Sequence, residues 1–176
     1  MTSTRNPGRV AGLWYLFLIL IGPLRLIYIP EKLFVYDNPV ATVNNIATNE
    51  WLFRFGMVSE LVGAVILILL TLAFYRLFDG VDKFLPVQVI IFGGVLPATI
   101  YFVNVVADAG ALMIVHGADF LTVFDKPLQD ALVLLLLRLH GLQLTASLLL
   151  AGVWLFPLGS SFTGRASCRA FWVSGW

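Results

Sequence analysis

The sequence predicts an all-α membrane protein, a polytopic bundle of four transmembrane helices with a short amphipathic outer helix in the first external loop. Three observations predict this class. Hydrophobic residues make up 60% of the 176 residues and charged residues only 12%, which is far from the balance of soluble proteins. Four stretches are apolar over the about 20 residues that a helix needs to cross a bilayer. Charges, prolines or interfacial aromatic residues bound each stretch.

The first predicted span needs to be distinguished from a signal peptide. The four spans are expected at residues 10–28, 51–75, 85–115 and 128–156. Arg5 and Arg9 precede an apolar core, as in a secretory signal. Gly22, Pro23 and Arg25, however, do not form the small-x-small site that cleavage requires. We therefore expect the first span to remain in the protein.

Both external loops carry signals for a short helix. In the first loop, Asn38 stands at a cap position and Pro39 at a first helical position, and apolar residues follow at helical spacing. In the second loop, Asp119 is expected to cap a short helical turn. Pro127 is expected to open the fourth span. The loops are thus predicted to be structured connections.

The distribution of positive charge predicts how the chain lies in the membrane, because cytoplasmic loops retain lysine and arginine. With the N-terminus inside, the cytoplasmic side carries Arg5, Arg9, Arg76, Lys83, Arg165 and Arg169. The external loops carry Lys32 and Lys126. This imbalance predicts a multi-pass protein of the cytoplasmic (inner) membrane with both termini in the cytoplasm.

Composition also excludes several classes of protein. The net charge is +1, and the eleven lysines and arginines are scattered, whereas nucleic-acid binding needs a concentrated basic face. No nucleic-acid partner is expected. Cys168 is the single cysteine, so an intramolecular disulfide and a multi-cysteine metal site are excluded.

Polar residues inside the predicted spans gather near the external ends. Counted along the helices, they lie roughly 8–18 Å below that surface, and the last of them continues towards the bilayer centre. The set comprises Arg25, Glu60, Asn104, Asp108, Arg138, His140 and Gln143. A charge that faces lipid is costly, so we expect an inward-facing cluster in which Glu60 and Asp108 neutralise Arg25 and Arg138.

Arg138 and His140 raise a separate question, because they stand two residues apart in "LVLLLLRLHGLQLTASLLL". Two residues correspond to about 200° around a helix. The two side chains therefore cannot share one narrow face, and one of them is expected to meet a different neighbour. Gln143 follows His140 by three residues and extends its face of the helix.

Two roles for this cluster stay open at the level of sequence. It could bind or pass a small solute or protons, as intramembrane ionisable groups often do. Alternatively, the chain is a structural or accessory membrane subunit whose buried ion pairs only fix helix packing. Ser59 and Gly63 suit close contact between helices, within the bundle or in a homo-oligomer or with a membrane partner. The lipid bilayer is the one partner that composition itself predicts.

An intramembrane enzyme is the third reading, and no catalytic residue is assigned. The chain has no HExxH pattern, and His116 with Asp119 supplies only two candidate metal ligands. Haem would need two opposed histidines at matched depth, whereas His116 is expected at the surface and only His140 lies within a span. We therefore expect no metal and no cofactor.

Several phrases together resemble a known family. They are "RVAGLWYLFLILIGPLRLIYIPEKL", "NEWLFRFGMVSEL", "GADFLTVF" and "LLLLRLHGLQL". Over roughly residues 9–159 the chain resembles the bacterial multi-pass membrane family catalogued as domain of unknown function 4386. The resemblance implies an inner-membrane protein without an assigned activity. The polar positions that it carries over are Arg9, Arg25, Glu60, Asp108, Arg138, His140 and Gly141.

The resemblance ends before the C-terminus. We expect residues 1–159 to form a single transmembrane helical domain, and residues 160–176 to be an atypical tail. Relatives continue through a phrase similar to "RSGFLPRVLG", whereas this chain reads "SSFTGRASCRAFWVSGW". Another reading frame can restore the family-like phrase, so we hypothesise a frameshifted end of a truncated family member. The nucleotide sequence tests this hypothesis.

Overall fold

The fold is helical throughout the part that the computed structural model describes, residues 7–78 and 85–153. No strand occurs in these two ranges. Four of the helical segments are long and apolar enough to cross a membrane. They are the first span Gly8–Leu33, the second span Glu50–Arg76, the third span Pro86–Val115 and the fourth span Lys126–Leu150. The predicted all-α class is therefore confirmed, while the tail at 160–176 lies outside the described residues.

Seven α-helices build these spans and their loops. In chain order they are α1 (Pro7–Pro23), α2 (Ile29–Leu33), α3 (Pro39–Thr48), α4 (Glu50–Phe78), α5 (Leu85–Ile90), α6 (Leu96–Val115) and α7 (Lys126–Val153). Two π-helical turns, Leu24–Tyr28 and Ile91–Val95, make the first and third spans continuous. A 3₁₀ turn, Asp119–Leu121, lies between α6 and α7.

Each π-helical turn closes immediately before a proline. Ile29 donates its N–H to the carbonyl five residues earlier and precedes Pro30. Leu96 likewise donates its N–H to the carbonyl of Ile91, five residues earlier, and precedes Pro97. A proline ring clashes with the carbonyl four residues before it, and a widened turn relieves that clash. The first span therefore continues through Pro30 to Leu33, beyond the end predicted at residue 28.

Spans that are consecutive in the sequence are neighbours in the bundle. The first span packs against the second, the second against the third, and the third against the fourth. Gly94 in the third span lies so close to the second that a Cβ there would overlap the Thr71 hydroxyl. This contact bears out the close packing expected from small residues at helix interfaces.

Helix α3 closes one end of the bundle, which we call the loop end. Asn38 caps it, because its Oδ1 accepts the Ala41 N–H at 3.0 Å, and Pro39 is the first helical residue. Val43 and Ile46 are buried in an apolar core that includes residues of the second, third and fourth spans. The predicted short helix is confirmed.

The loop between α6 and α7 differs in detail from the prediction. Ala118, not Asp119, precedes the 3₁₀ turn, and no side chain caps it. Helix α7 begins at Lys126, one residue before Pro127. The Oδ1 atom of Asp125 accepts the Leu128 N–H at 3.1 Å, so Asp125 supplies a carboxylate cap at the start of α7. The cap expected from Asp119 on the short turn is therefore absent, whereas Asp125 caps the following helix α7.

Candidate intramembrane site

Five of the predicted polar residues converge inside the bundle near its loop end. Arg25 comes from the first span, Glu60 from the second, Asn104 and Asp108 from the third, and His140 from the fourth. Asn104 and Asp108 are four residues apart, so they lie on one face of α6. Every span thus contributes at least one side chain to this site, which we call the Glu60 site.

Glu60 is the centre of the site. Its side chain is only 1% exposed, so its polar atoms must find partners within the bundle. The Oε1 atom accepts a hydrogen bond from Asn104 Nδ2 at 3.1 Å and lies 3.5 Å from Arg25 Nη1. The Oε2 atom lies 3.6 Å from His140 Nε2. One carboxylate therefore connects all three of the other spans.

His140 stands between two carboxylates. Its Nδ1 lies 2.9 Å from Asp108 Oδ1, which is a hydrogen-bond distance. Its Nε2 faces Glu60 at 3.6 Å, which is too long for a hydrogen bond. A neutral imidazole donates from only one nitrogen. Nε2 and Glu60 are therefore adjacent without a hydrogen bond between them.

Arg25 is held by an aromatic ring as well as by Glu60. Its guanidinium carbon lies 4.2 Å from the centroid of the Tyr101 ring, a favourable cation–π distance. Gly63 lies beside it, since a Cβ at Gly63 would be 3.8 Å from Arg25 Nη1, an ordinary van der Waals contact. Sequence reasoning missed Tyr101. Its position three residues before Asn104, on the same face of α6, was the available signal.

The site contains buried atoms without hydrogen-bond partners among the described residues. They are Arg25 Nη1, a donor, and Asn104 Oδ1, an acceptor in the assigned amide orientation. A cavity of about 30 Å³ lies beside Arg25 and is also lined by Glu60, Asp108 and His140 and by apolar side chains that include Phe34, but Asn104 is not part of its lining. This volume has room for about one water molecule. The polar network is therefore not closed.

The comparisons with known proteins identify the family. A family model described as Domain of unknown function (DUF4386) matches residues 10–166. The chain belongs to the DUF4386 family. No curated protein and no solved structure gives a significant match. The family resemblance expected from the sequence is confirmed. Because the DUF4386 description assigns no activity, function has to be argued from the Glu60 site.

Arg138 does not join the Glu60 site of this DUF4386 protein, contrary to expectation. It is exposed, and its Nη2 donates to the Tyr36 carbonyl at 2.7 Å. It lines an open pocket of about 440 Å³ beside the start of α3, together with Tyr36 and Asp37. The 200° separation predicted that Arg138 and His140 would have different neighbours, and they do. The expectation that Glu60 or Asp108 neutralises Arg138 was wrong.

Gln143 also stays apart from the Glu60 site. No hydrogen bond or ion pair between Gln143 and the five converging residues occurs in the described ranges, and its buried Oε1 has no partner there. It is one turn farther from the loop end than His140. The sequence placed it correctly on the His140 side of the helix but could not show where the site ends.

His116 forms a separate network at the surface of the loop end. Its Nδ1 lies 2.8 Å from the Leu112 carbonyl and its Nε2 lies 3.1 Å from Glu50 Oε2. Glu50 also pairs with Arg54 at 2.5 Å. The surface position expected for His116 is confirmed. This histidine therefore serves as a natural control for His140.

The DUF4386 fold assembles a group of metal-ligand types that the sequence did not reveal. Glu60, Asp108 and His140 each offer a ligand atom, and these three atoms lie within 4.8 Å of one another. Only His116 with Asp119 was considered as a metal pair from the sequence. The actual group escaped notice because its members come from three different spans, with no common spacing along the chain.

Proposed function

We propose that this DUF4386 protein is an integral protein of a bacterial cytoplasmic membrane that binds a small polar solute at the Glu60 site. The observation that carries the proposal is the incomplete network around the cavity. Asn104 Oδ1 is buried without a hydrogen-bond partner among the described residues, and the buried Arg25 Nη1 has only the ion pair with Glu60 at 3.5 Å and no hydrogen bond. Leaving a buried donor or acceptor unpaired costs about 1–3 kcal/mol. A ligand with both an acceptor and a donor would offset this cost.

The position of the site supports access from the outer face. Its cavity is lined partly by Pro30 and Phe34, which belong to the loop end of the first span. In the whole sequence, the positive residues that flank the opposite ends of the spans outnumber those at the loop end, Lys32, Arg54 and Lys126; they are Arg5, Arg9, Arg76, Lys83, Arg165 and Arg169. Since positive charge favours the cytoplasmic side, we place the termini in the cytoplasm and the loop end outside.

Binding a solute is simpler than passing it, and the sequence left both open as one of the two roles of this cluster. Because the cavity has room for about one water, a larger solute would also have to displace apolar lining side chains such as Phe34. Passage of a solute or of protons would also require a second opening towards the cytoplasmic side. We therefore propose binding as the primary function, with passage as a further step to be measured in reconstituted vesicles.

A structural or accessory role is the second candidate, and two contacts favour it. Asn104 already donates to Glu60 at 3.1 Å, and His140 already meets Asp108 at 2.9 Å. These hydrogen bonds link the second, third and fourth spans without any ligand. Interhelical hydrogen bonds of this kind fix helix packing and contribute about 1 kcal/mol each.

A ligand screen distinguishes the two candidates. The full chain, purified into lipid nanodiscs in the presence of EDTA, is melted with a panel of small zwitterions, carboxylates and amines. Solute binding predicts that at least one compound raises the Tm, and that His140→Gln removes the rise. His116→Gln is the matched control and should keep it. If no compound raises the Tm of the wild type, the binding proposal fails and the structural role is favoured.

A further inference from the structure

Three side chains of the Glu60 site form a group with the donor chemistry of a metal centre. Glu60 and Asp108 supply carboxylate oxygens, and His140 supplies an imidazole nitrogen. The side chains of Glu60 and Asp108 are 1% and 7% exposed, and that of His140 is 13% exposed. Surface clusters of acidic residues are common, but two buried carboxylates in a membrane span require partners.

One ligand atom from each of the three side chains lies near the separation found between zinc ligands. In tetrahedral zinc sites, ligands about 2.0–2.1 Å from the metal lie roughly 3.4 Å from one another. The three candidate ligand atoms of the Glu60 site all lie within 4.8 Å of one another. A single imidazole gives a metal only one nitrogen, whereas His140 now meets Asp108 through Nδ1 at 2.9 Å and faces Glu60 through Nε2 at 3.6 Å. An ion would therefore replace one of these two contacts.

Two independent observations point to a ligand at this place. Asn104 is fully buried, and its Oδ1 has no partner among the described residues although its Nδ2 contacts Glu60. An amide oxygen is itself a cation ligand. The adjoining cavity of about 30 Å³ is lined by all three candidate ligands, and has room for one water. Metal sites with three protein ligands keep a fourth position for such a water.

We propose that Glu60, Asp108 and His140 bind a divalent transition-metal ion, with Zn²⁺ as the first candidate. This inference rests on the proposed function, because it names the ligand of the same site. The imidazole ligand decides the class of metal. Magnesium and calcium prefer all-oxygen sites, whereas imidazole suits zinc, iron, copper and nickel.

Arg25 is the feature that a metal at this site must accommodate. Its guanidinium contacts Glu60 Oε1 and the Tyr101 ring, whereas His140 faces Glu60 Oε2. The two carboxylates balance the two charges of the ion, and Arg25 adds one positive charge to the total. The sum favours an anionic group in the fourth position, where Arg25 Nη1, which has no hydrogen bond among the described residues, could donate to it.

The test measures Zn²⁺ and Mg²⁺ binding to the purified full chain in nanodiscs by calorimetry after EDTA treatment and dialysis. The wild type should bind one Zn²⁺ per chain and bind Mg²⁺ far more weakly. Asp108→Asn and His140→Gln should each weaken Zn²⁺ binding by about 100-fold or more, since loss of an outer-shell partner alone costs about 10–100-fold. His116→Gln should bind as tightly as the wild type.

X-ray absorption on the Zn²⁺-loaded wild type keeps the test decisive if a variant fails to fold. One imidazole with oxygen ligands is expected. A sulfur ligand would place the ion at Cys168, and two imidazoles would implicate His116, so either result overturns the proposal. Absence of Zn²⁺ binding to the wild type also overturns it. If an organic solute still raises the Tm in EDTA, the proposed function survives and only the metal inference fails.

Discussion

Replacing Glu60 by glutamine removes the charge at the centre of the site while keeping nearly the same shape. The wild-type carboxylate has three polar neighbours, Asn104 at 3.1 Å, Arg25 at 3.5 Å and His140 at 3.6 Å. An amide has one acceptor oxygen and one donor NH₂ group. The NH₂ group would therefore face a donor of Arg25 or a nitrogen of His140, and Arg25 would lose its buried counter-charge.

The expected loss of stability is about 1 kcal/mol in the free energy of unfolding. Polar contacts between membrane helices average about 0.6 kcal/mol each, with a maximum near 1.7 kcal/mol. The oxygen of the introduced glutamine can still accept the hydrogen bond from Asn104, so two such contacts are lost. The loss of a buried partner in soluble proteins reaches about 3–5 kcal/mol, which sets the upper limit.

Unfolding of the full chain in mixed micelles with increasing SDS, in EDTA, measures this change. Glu50→Gln is the matched control, because Glu50 pairs with Arg54 and His116 at the exposed loop end. Exposed ion pairs contribute little to stability, so the control should unfold close to the wild type. If Glu60→Gln is as stable as the wild type, or no less stable than the control, the Glu60 site does not hold the spans together as argued.

Two further substitutions test the packing and the limits of the site. Gly94→Ala should destabilise the bundle by about 1–3 kcal/mol, because the added Cβ would overlap the Thr71 hydroxyl and overpacking costs this much. Gly141→Ala is the control, since its added Cβ would meet nothing within 4 Å. It should unfold at the same SDS concentration as the wild type or at a higher one. Arg138→Gln should lower stability by about 1 kcal/mol through loss of the bond to the Tyr36 carbonyl. It should leave Zn²⁺ and solute affinity at the Glu60 site unchanged, and a large loss of affinity would contradict the separation of the two pockets.

The length and apolar character of the spans could be predicted because the bilayer imposes them. A helix must be about 20 residues long and apolar to cross the hydrocarbon, and each such stretch is visible in the chain itself. The first span runs past its predicted end at residue 28. The π-helical turn Leu24–Tyr28 widens the helix just before Pro30, and this local adjustment lets the helix continue through the proline.

The positions of the polar residues along the spans could also be predicted, whereas their directions could not. Arg138 and His140 lie only about 3 Å apart in depth, yet the first is exposed and bonded to Tyr36 while the second lies within the Glu60 site. Distance along the helix axis follows from counting residues. Direction around the axis depends on how the helix is rotated against its neighbours.

The sequence by itself determined the class of protein, the family, the number of spans and the depth at which charge is buried. These properties depend on composition, on local helix signals and on residue counting within single segments. Only the tertiary structure decided that Glu60, Asp108 and His140 meet, that Tyr101 supports Arg25, and that buried atoms remain unpaired beside a cavity. Those contacts join side chains from different spans, and the rotation and spacing of packed helices are set by all of their interfaces together.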